Sequence, residues 1–108
     1  MTTAGSATFW DHVAPLLASG AAEHGTIMGG PCLRVHGEFL AMPYHRGPGL
    51  VVKLPRERVT AEIAQGRGQS FAPAGRVFRE WLHVPEYDPQ FWTDLLFEGM
   101  VFVSGESK

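Results

Sequence analysis

Apolar residues recur about every 3.6 positions near the start of the chain, which is the spacing of one face of a helix. They are Phe9, Trp10, Val13, Leu16 and Leu17. We predict a helix from about Ser6 to Ser19, with Ser6 or Thr8 capping its first N–H groups. Pro15 lies inside this segment. Because proline lacks the N–H and crowds the carbonyl four residues earlier, we expect a kink or an early break there.

A second helical segment begins at Pro55, which suits a first turn because its missing N–H would be unpaired anyway. Val59, Ile63 and Ala64 form a narrow apolar stripe, and Gly66 follows as a terminator. The charged residues of this helix are predicted to face water. They are Arg56, Glu57, Arg58 and Glu62.

The last helical segment starts at Asp88 and Pro89. Asp88 is the predicted cap, and Pro89 fits the first turn. The apolar residues expected on the buried side are Trp92, Leu95, Leu96 and Phe102. Gly99 lies in the second half of the segment, and we expect it to weaken the helix by about 1 kcal/mol relative to alanine.

Between the first two helices, from Thr26 to Lys53, the apolar period changes from helical to alternating, as is typical of strands. The predicted strands are residues 33–35, 39–41 and 50–53, with a further one at 81–84 after the second helix. Gly37 and the segment His45–Gly49 are the predicted turns. We therefore predict an α+β fold, an antiparallel β-meander sheet flanked by helices, in the order α, three β, α, one or two β, α.

Length and composition fit one small domain of 108 residues, 44% of them hydrophobic. We expect a single domain over residues 1–108 with an ordered core of about 7–103. The single cysteine excludes an internal disulfide. The N-terminus does not resemble a secretion signal, and no run approaches about 18 apolar residues. We expect a cytoplasmic protein with no membrane partner.

The net charge of −2 conceals an uneven distribution. Between Leu33 and Arg79 there are eight basic residues and three acidic ones, whereas the rest of the chain has one lysine and eight acidic residues. A basic middle section can place a positive patch on one face, or it can scatter as solvated charges over the surface.

The segment Gly29–Cys32 raises two chemical hypotheses. A phosphate-binding loop needs glycines that lead directly into a helix, but residues 33–35 alternate like a strand, so we predict a structural turn. A nucleophilic cysteine needs a base and an orienting group, and no signature of such a site surrounds Cys32. We predict that Cys32 is a small packing residue.

The five histidines and the carboxylates show no pattern typical of a catalytic or metal site. The histidines lack the close spacings of metal ligands. Glu57 and Glu62 are predicted on an exposed helix, and helix capping accounts for Asp88. We expect no catalytic residue, no metal site and no cofactor.

Four motifs in order carry a family resemblance: Ile27-Met28-Gly29-Gly30, a hairpin at Gly37, a strand ending "VVKLP", and "RVFREWLHV". Over about residues 24–103 they resemble the TfoX N-terminal domain and the related MmcQ/YjbR-like proteins. The resemblance implies a secretion-chaperone-like α+β fold, α-β(3)-α-β(2)-α. It also implies a non-enzymatic role, because TfoX relatives are linked to competence regulation and YjbR-like proteins are usually described as DNA-binding. Met28 stands where these families typically have an aromatic residue.

Two functional hypotheses follow, both for a non-enzymatic binding module. The first is a DNA-binding or regulatory module in which basic residues contact phosphates and a tryptophan stacks on a base. Its residues are Arg34, Arg46, Lys53, Arg56, Arg58, Arg79 and Trp81. The alternative is a module that binds a protein partner, a second copy of the chain or a small ligand such as an antibiotic, in an apolar groove. Its residues are Trp10, Met28, Met42, Tyr44 and Trp92.

Overall fold

The computed structural model describes residues 4–44, 49–72 and 75–105. These residues form three helices and six strands. The helices are α1 (Ala4–Ser19), α2 (Arg56–Ala64) and α3 (Pro89–Ser104). The strands are β1 (Glu23–Ile27), β2 (Gly30–Val35), β3 (Glu38–Pro43), β4 (Leu50–Lys53), β5 (Gln69–Phe71) and β6 (Phe78–Val84).

All six strands join one antiparallel sheet in the order β1-β2-β3-β4-β6-β5. The first four strands form a meander, β6 pairs with β4, and β5 lies at the edge beyond β6. The predicted α+β architecture, a meander sheet flanked by helices, is confirmed. Four strands were predicted by residue number, and the predicted order allowed a fifth; β1 and β5 were missed. Both are edge strands that leave most of their side chains exposed, so they carry no alternating apolar pattern.

Two residue pairs of the same kind turn the chain at the start of the sheet. Met28 and Gly29 join β1 to β2 with φ values of 54° and 79°, and His36 and Gly37 join β2 to β3 with φ values of 53° and 80°. Two successive positive φ values suit a two-residue hairpin turn whose twist matches that of the strands. The predicted structural turn at the glycine pair and the predicted turn at Gly37 are both confirmed. Most of the other predicted turn, His45–Pro48, lies outside the described residues.

Two apolar clusters stabilise the described fold, one on each face of the sheet. The larger cluster joins all three helices to the sheet, and its most buried members include Phe9, Leu50 and Trp92. The smaller cluster consists of strand residues. They are Cys32, Phe39, Met42, Val51, Phe71 and Trp81. Because Leu50 and Val51 follow each other in β4 and enter different clusters, the sheet is apolar on both faces.

Helix α1 continues through Pro15, so the predicted break is wrong. Phe9 and Val13 before the proline are fully buried, and Leu16 and Leu17 after it pack against the same cluster. Burying such side chains contributes roughly 1.5–3 kcal/mol each, which offsets the loss of one backbone hydrogen bond. The helix also begins at Ala4, so neither Ser6 nor Thr8 is at its start.

Helix α3 begins as predicted, with the Asp88 side chain accepting a hydrogen bond from the Phe91 N–H at 3.1 Å and Pro89 in the first turn. Gly99 in its second half has a packing role that the sequence did not indicate. A Cβ at Gly99 would lie 2.7 Å from the Lys53 carbonyl oxygen and 2.8 Å from a methyl group of Leu40. The missing side chain therefore lets α3 approach the backbone of β4.

Candidate functional site

Several basic residues of the nucleic-acid hypothesis are held by hydrogen bonds within the fold. Arg34 donates to the carbonyl oxygens of Thr26 at 2.7 Å and Gly37 at 2.9 Å. Its side chain crosses β1 over Gly25, where a Cβ would lie 2.5 Å from Arg34 Cδ. Arg34 thus ties β1 to the turn between β2 and β3, and its guanidinium is already occupied.

Arg58 is also held inside the fold. It donates to Glu62 at 2.7 Å and to Glu98 of α3 at 2.8 Å. Glu62 in turn accepts from Arg67 at 2.7 and 2.9 Å, and the Arg67 guanidinium lies 4.6 Å from the ring centre of Phe91. This network joins α2 to α3.

Glu62 corrects the prediction that the charged residues of α2 face water, because it is fully buried. Burial alone would raise the pKa of Glu62, but the hydrogen bonds from Arg67 and Arg58 outweigh it, and the pKa is lowered. The hydrogen bonds that Arg58 donates to Glu98 and to Glu62 raise the pKa of Arg58. The Arg58–Glu62 pair, at a spacing of four residues, was the available sequence signal. The contacts of this pair with Glu98 and Arg67 depend on the fold.

Trp81 and Lys53 lie opposite each other in the pairing of β4 with β6. Lys53 forms a 3.9 Å ion pair with Glu80. Trp81 is 8% exposed and stacks on Phe39, with ring centres 4.3 Å apart, in the smaller apolar cluster. Most of its ring is therefore covered by protein.

Arg56 and Arg79 are the two residues of the hypothesis that stay exposed in the described part of the chain. Neither forms a salt bridge with another described residue. They line the same open groove of about 490 Å³, where the start of α2 meets β6 and the last turn of α3. Arg46 lies outside the described residues.

We call this feature the α2–β6 groove. Its lining includes Arg56, Val77, Phe78, Arg79, Trp81 and Phe102. Two carboxylates, Glu57 and Glu80, also line it. A smaller cavity of about 90 Å³ adjoins it and shares Arg56, Val77, Phe78 and Arg79.

Arg76 was not among the predicted site residues, although it lies beside this groove. Its guanidinium lies 5.6 Å from the ring centre of Phe78, in the position of a cation–π contact. Phe78 also contacts Trp81, with ring centres 4.8 Å apart, so the half-buried ring links the groove to the smaller apolar cluster. Arg76 and Phe78 are two residues apart, a spacing that places both side chains on one face of an extended segment, but the sequence did not indicate that this face borders the groove.

The residues of the alternative hypothesis lie in different places. Trp92 belongs to the larger cluster and Met42 to the smaller one, on opposite faces of the sheet. Trp10 packs on α1 against Phe9 and His24, and Met28 is exposed in the first hairpin turn. Tyr44 stacks on His83, with ring centres 3.8 Å apart. No shared groove joins these five residues in the described structure.

Sequence reasoning missed one polar cluster, centred on His12 of α1. Its Nδ1 lies 2.9 Å from the Tyr87 hydroxyl and its Nε2 lies 3.1 Å from the Thr93 hydroxyl at the start of α3. Burial lowers the pKa of His12. The imidazole bridges two hydroxyls and ties α1 to α3. His12 is 75 residues from Tyr87 and 81 from Thr93, so no spacing could have indicated the contacts.

The described residues contain no cluster of three or more histidine, cysteine or acidic side chains that could hold a metal ion. None of the described helices is both long enough and apolar enough to cross a membrane.

Comparison with known proteins finds no matching family model, no matching curated protein and no matching solved structure. The resemblance to the TfoX N-terminal and MmcQ/YjbR-like families therefore stays a prediction from the motifs.

Proposed function

We propose that this chain is a non-enzymatic nucleic-acid-binding module, of the kind found in the TfoX N-terminal and MmcQ/YjbR-like families, that binds phosphates at the α2–β6 groove. The observation that carries the proposal is that Arg56 and Arg79 line one groove, are exposed, and form no salt bridge with other described residues. Arginines without an intramolecular acid are free to form two parallel hydrogen bonds to a phosphate.

Local charge supports the proposal despite a net charge of −2. Arg56, Arg79, Arg76 and Lys53 lie in or beside the groove, against Glu57 and Glu80. The local balance is positive. Lys53 is paired with Glu80, which leaves three arginines for an anionic ligand.

Exposed acids at the other end of α3 are too far away to cancel this charge. Asp88 caps the start of the helix and Phe102 reaches the groove in its last turn. At 1.5 Å per residue these positions are about 20 Å apart. The Debye length at physiological ionic strength is about 8 Å, so repulsion from the start of α3 is largely screened at the groove. The proposed role is a cytoplasmic one, as the sequence led us to expect.

The test is fluorescence anisotropy with labelled single-stranded and duplex DNA at low salt. The wild-type chain is expected to bind at micromolar concentration. The double variant Arg56→Ala/Arg79→Ala is expected to bind at least roughly tenfold more weakly, because two phosphate contacts are removed.

A control variant also makes the net charge more negative, but at a position outside the groove. Ala14→Glu adds a negative charge at an exposed position of α1, a helix that packs on β1 and β3. It is expected to bind DNA as the wild type does. If the wild-type chain binds neither form of DNA at low salt, the proposed function is wrong. The protein-partner or small-ligand module is then the hypothesis to pursue.

A further inference from the structure

The shape of the α2–β6 groove bears on which form of nucleic acid it accepts, and the inference rests on the proposed function. The groove is open to solvent, and its volume is about 490 Å³. Duplex DNA presents a convex surface, and proteins that read it insert a projecting helix or β-ribbon. Arg56 and Arg79 line a groove rather than a projecting element of this kind.

The groove also offers an aromatic surface beside its cations. Phe78 is half-buried, and its ring contacts the rings of Trp81 and Phe71, with ring centres 4.8 and 5.8 Å away. Val77 next to it is 51% exposed, and Phe102 completes the apolar part of the lining. A ring fixed by other rings is a rigid platform, which is what stacking on a nucleobase requires.

The position of Arg76 shows that a planar group fits against the ring of Phe78. Its guanidinium is planar and lies 5.6 Å from the ring centre of Phe78. This contact is on the surface, since Arg76 is exposed. A nucleobase can take the place of the guanidinium on the ring or stack on the guanidinium itself, because arginine and aromatic planes both accept bases. In either case Arg76 stays close enough to contact a phosphate.

We infer that the α2–β6 groove takes an unpaired nucleotide within a single strand, with its base against Phe78 and its two flanking phosphates on Arg56 and Arg79. Bases in a duplex are stacked on one another and cannot reach Phe78. A free mononucleotide has the base but only one phosphate group. The arrangement therefore selects a single strand over both.

The experiment compares three ligands on the wild-type chain by anisotropy at low salt. They are a labelled oligothymidylate of about 12 nucleotides, a labelled blunt-ended duplex without a loop, and unlabelled thymidine 5′-monophosphate as competitor. We expect the single strand to bind at least roughly tenfold more tightly than the duplex. Per nucleotide, the monophosphate is expected to compete at least roughly tenfold more weakly than unlabelled oligothymidylate.

Phe78→Leu tests the base contact, because leucine keeps apolar volume in the cluster but removes the aromatic plane. This variant is expected to lose about 5- to 100-fold in affinity for the single strand while its affinity for the duplex stays unchanged. Circular dichroism and thermal unfolding establish that the variant is folded. If it unfolds, the comparison of single strand, duplex and monophosphate on the wild-type chain remains the test.

The outcomes separate this inference from the proposed function. If single strand and duplex bind equally well, or Phe78→Leu weakens both equally, the inference is overturned and the proposed function stands. Equal competition by the monophosphate overturns the assignment to a strand. If no form of DNA binds, both fail.

Discussion

The carboxylate of Glu62 is fully buried and accepts a 2.7 Å hydrogen bond from Arg58, one turn earlier in α2. Arg67 donates a second hydrogen bond to the same carboxylate, and Arg58 also donates to Glu98 of α3. The network decides which arginines are available to a ligand. Arg58 and Arg67 stabilise the fold, whereas Arg56 lines the α2–β6 groove and forms no salt bridge with another described residue.

Removing the buried carboxylate is expected to destabilise the fold. Glu62→Ala leaves Arg58 and Arg67 without their shared partner and should lower the free energy of unfolding by about 2 kcal/mol. The value is below that of a wholly buried pair because both arginines are partly exposed. Glu98→Ala is the matched control and should cost less than about 1 kcal/mol, since Glu98 is itself partly exposed. Urea unfolding of both variants measures the difference, and equal losses would contradict the account.

The same carboxylate predicts how stability depends on pH. The pKa of Glu62 in the folded chain lies below its ordinary value of 4.5, so the folded state favours the charged form. Its contribution to stability is present in full above about pH 4.5 and is lost as the pH falls through the lower, folded-state pKa. The unfolding free energy of Glu62→Gln should therefore change less with pH below 4.5 than that of the wild type. If the two proteins gave parallel curves of unfolding free energy against pH in this range, the pKa of Glu62 would not be lowered.

Gly99 predicts an unusual response to alanine. In an exposed helix, glycine to alanine stabilises by about 1 kcal/mol. At Gly99 the new Cβ would lie 2.7 Å from the Lys53 carbonyl oxygen, and overpacking of this kind costs roughly 1–3 kcal/mol. We expect Gly99→Ala to lower the melting temperature. Phe97→Ala, at a position of the same helix whose side chain is 66% exposed, should change the unfolding free energy by less than about 0.5 kcal/mol. A stabilised Gly99→Ala variant would mean that α3 does not lie this close to β4.

Arg34 separates structural arginines from binding arginines. Because its guanidinium is bonded to the Thr26 and Gly37 carbonyls, Arg34→Ala should lower the unfolding free energy by about 1–2 kcal/mol. Its affinity for single-stranded DNA should stay within about twofold of wild type, since Arg34 does not line the groove. A large loss of affinity with unchanged stability would place the binding surface on β2 instead.

Periodicity predicted the elements that bury a regular apolar face. Helix α3 with its Asp88 cap and the hairpin at Gly37 are local patterns, and both are confirmed. Strand β1 was missed because an edge strand with exposed side chains has no such face. The predicted helix break at Pro15 was wrong for the opposite reason. Burial of the apolar residues around Pro15 outweighed the local tendency of proline to end a helix.

The site was harder to predict because it depends on long-range contacts. Arg56 and Arg79 are 23 residues apart in the sequence. They line the same groove because β6, which carries Arg79, pairs with β4, and α2, which begins at Arg56, directly follows β4. Composition placed both in a basic middle section, but it could not show that Arg34 and Arg58 are occupied within the fold. Which arginines have acidic or carbonyl partners is decided by the packing of α2, α3 and the first hairpin.

The most direct test of the central claim is the salt dependence of single-strand binding. With three arginines at the groove and a slope of about −0.7 per phosphate contact, a plot of log affinity against log salt for the wild type should have a slope of about −2. Arg56→Ala/Arg79→Ala should reduce the slope to about −0.7, while Ala14→Glu leaves it at the wild-type value. An unchanged slope in the double variant would contradict the claim that these two arginines hold the phosphates.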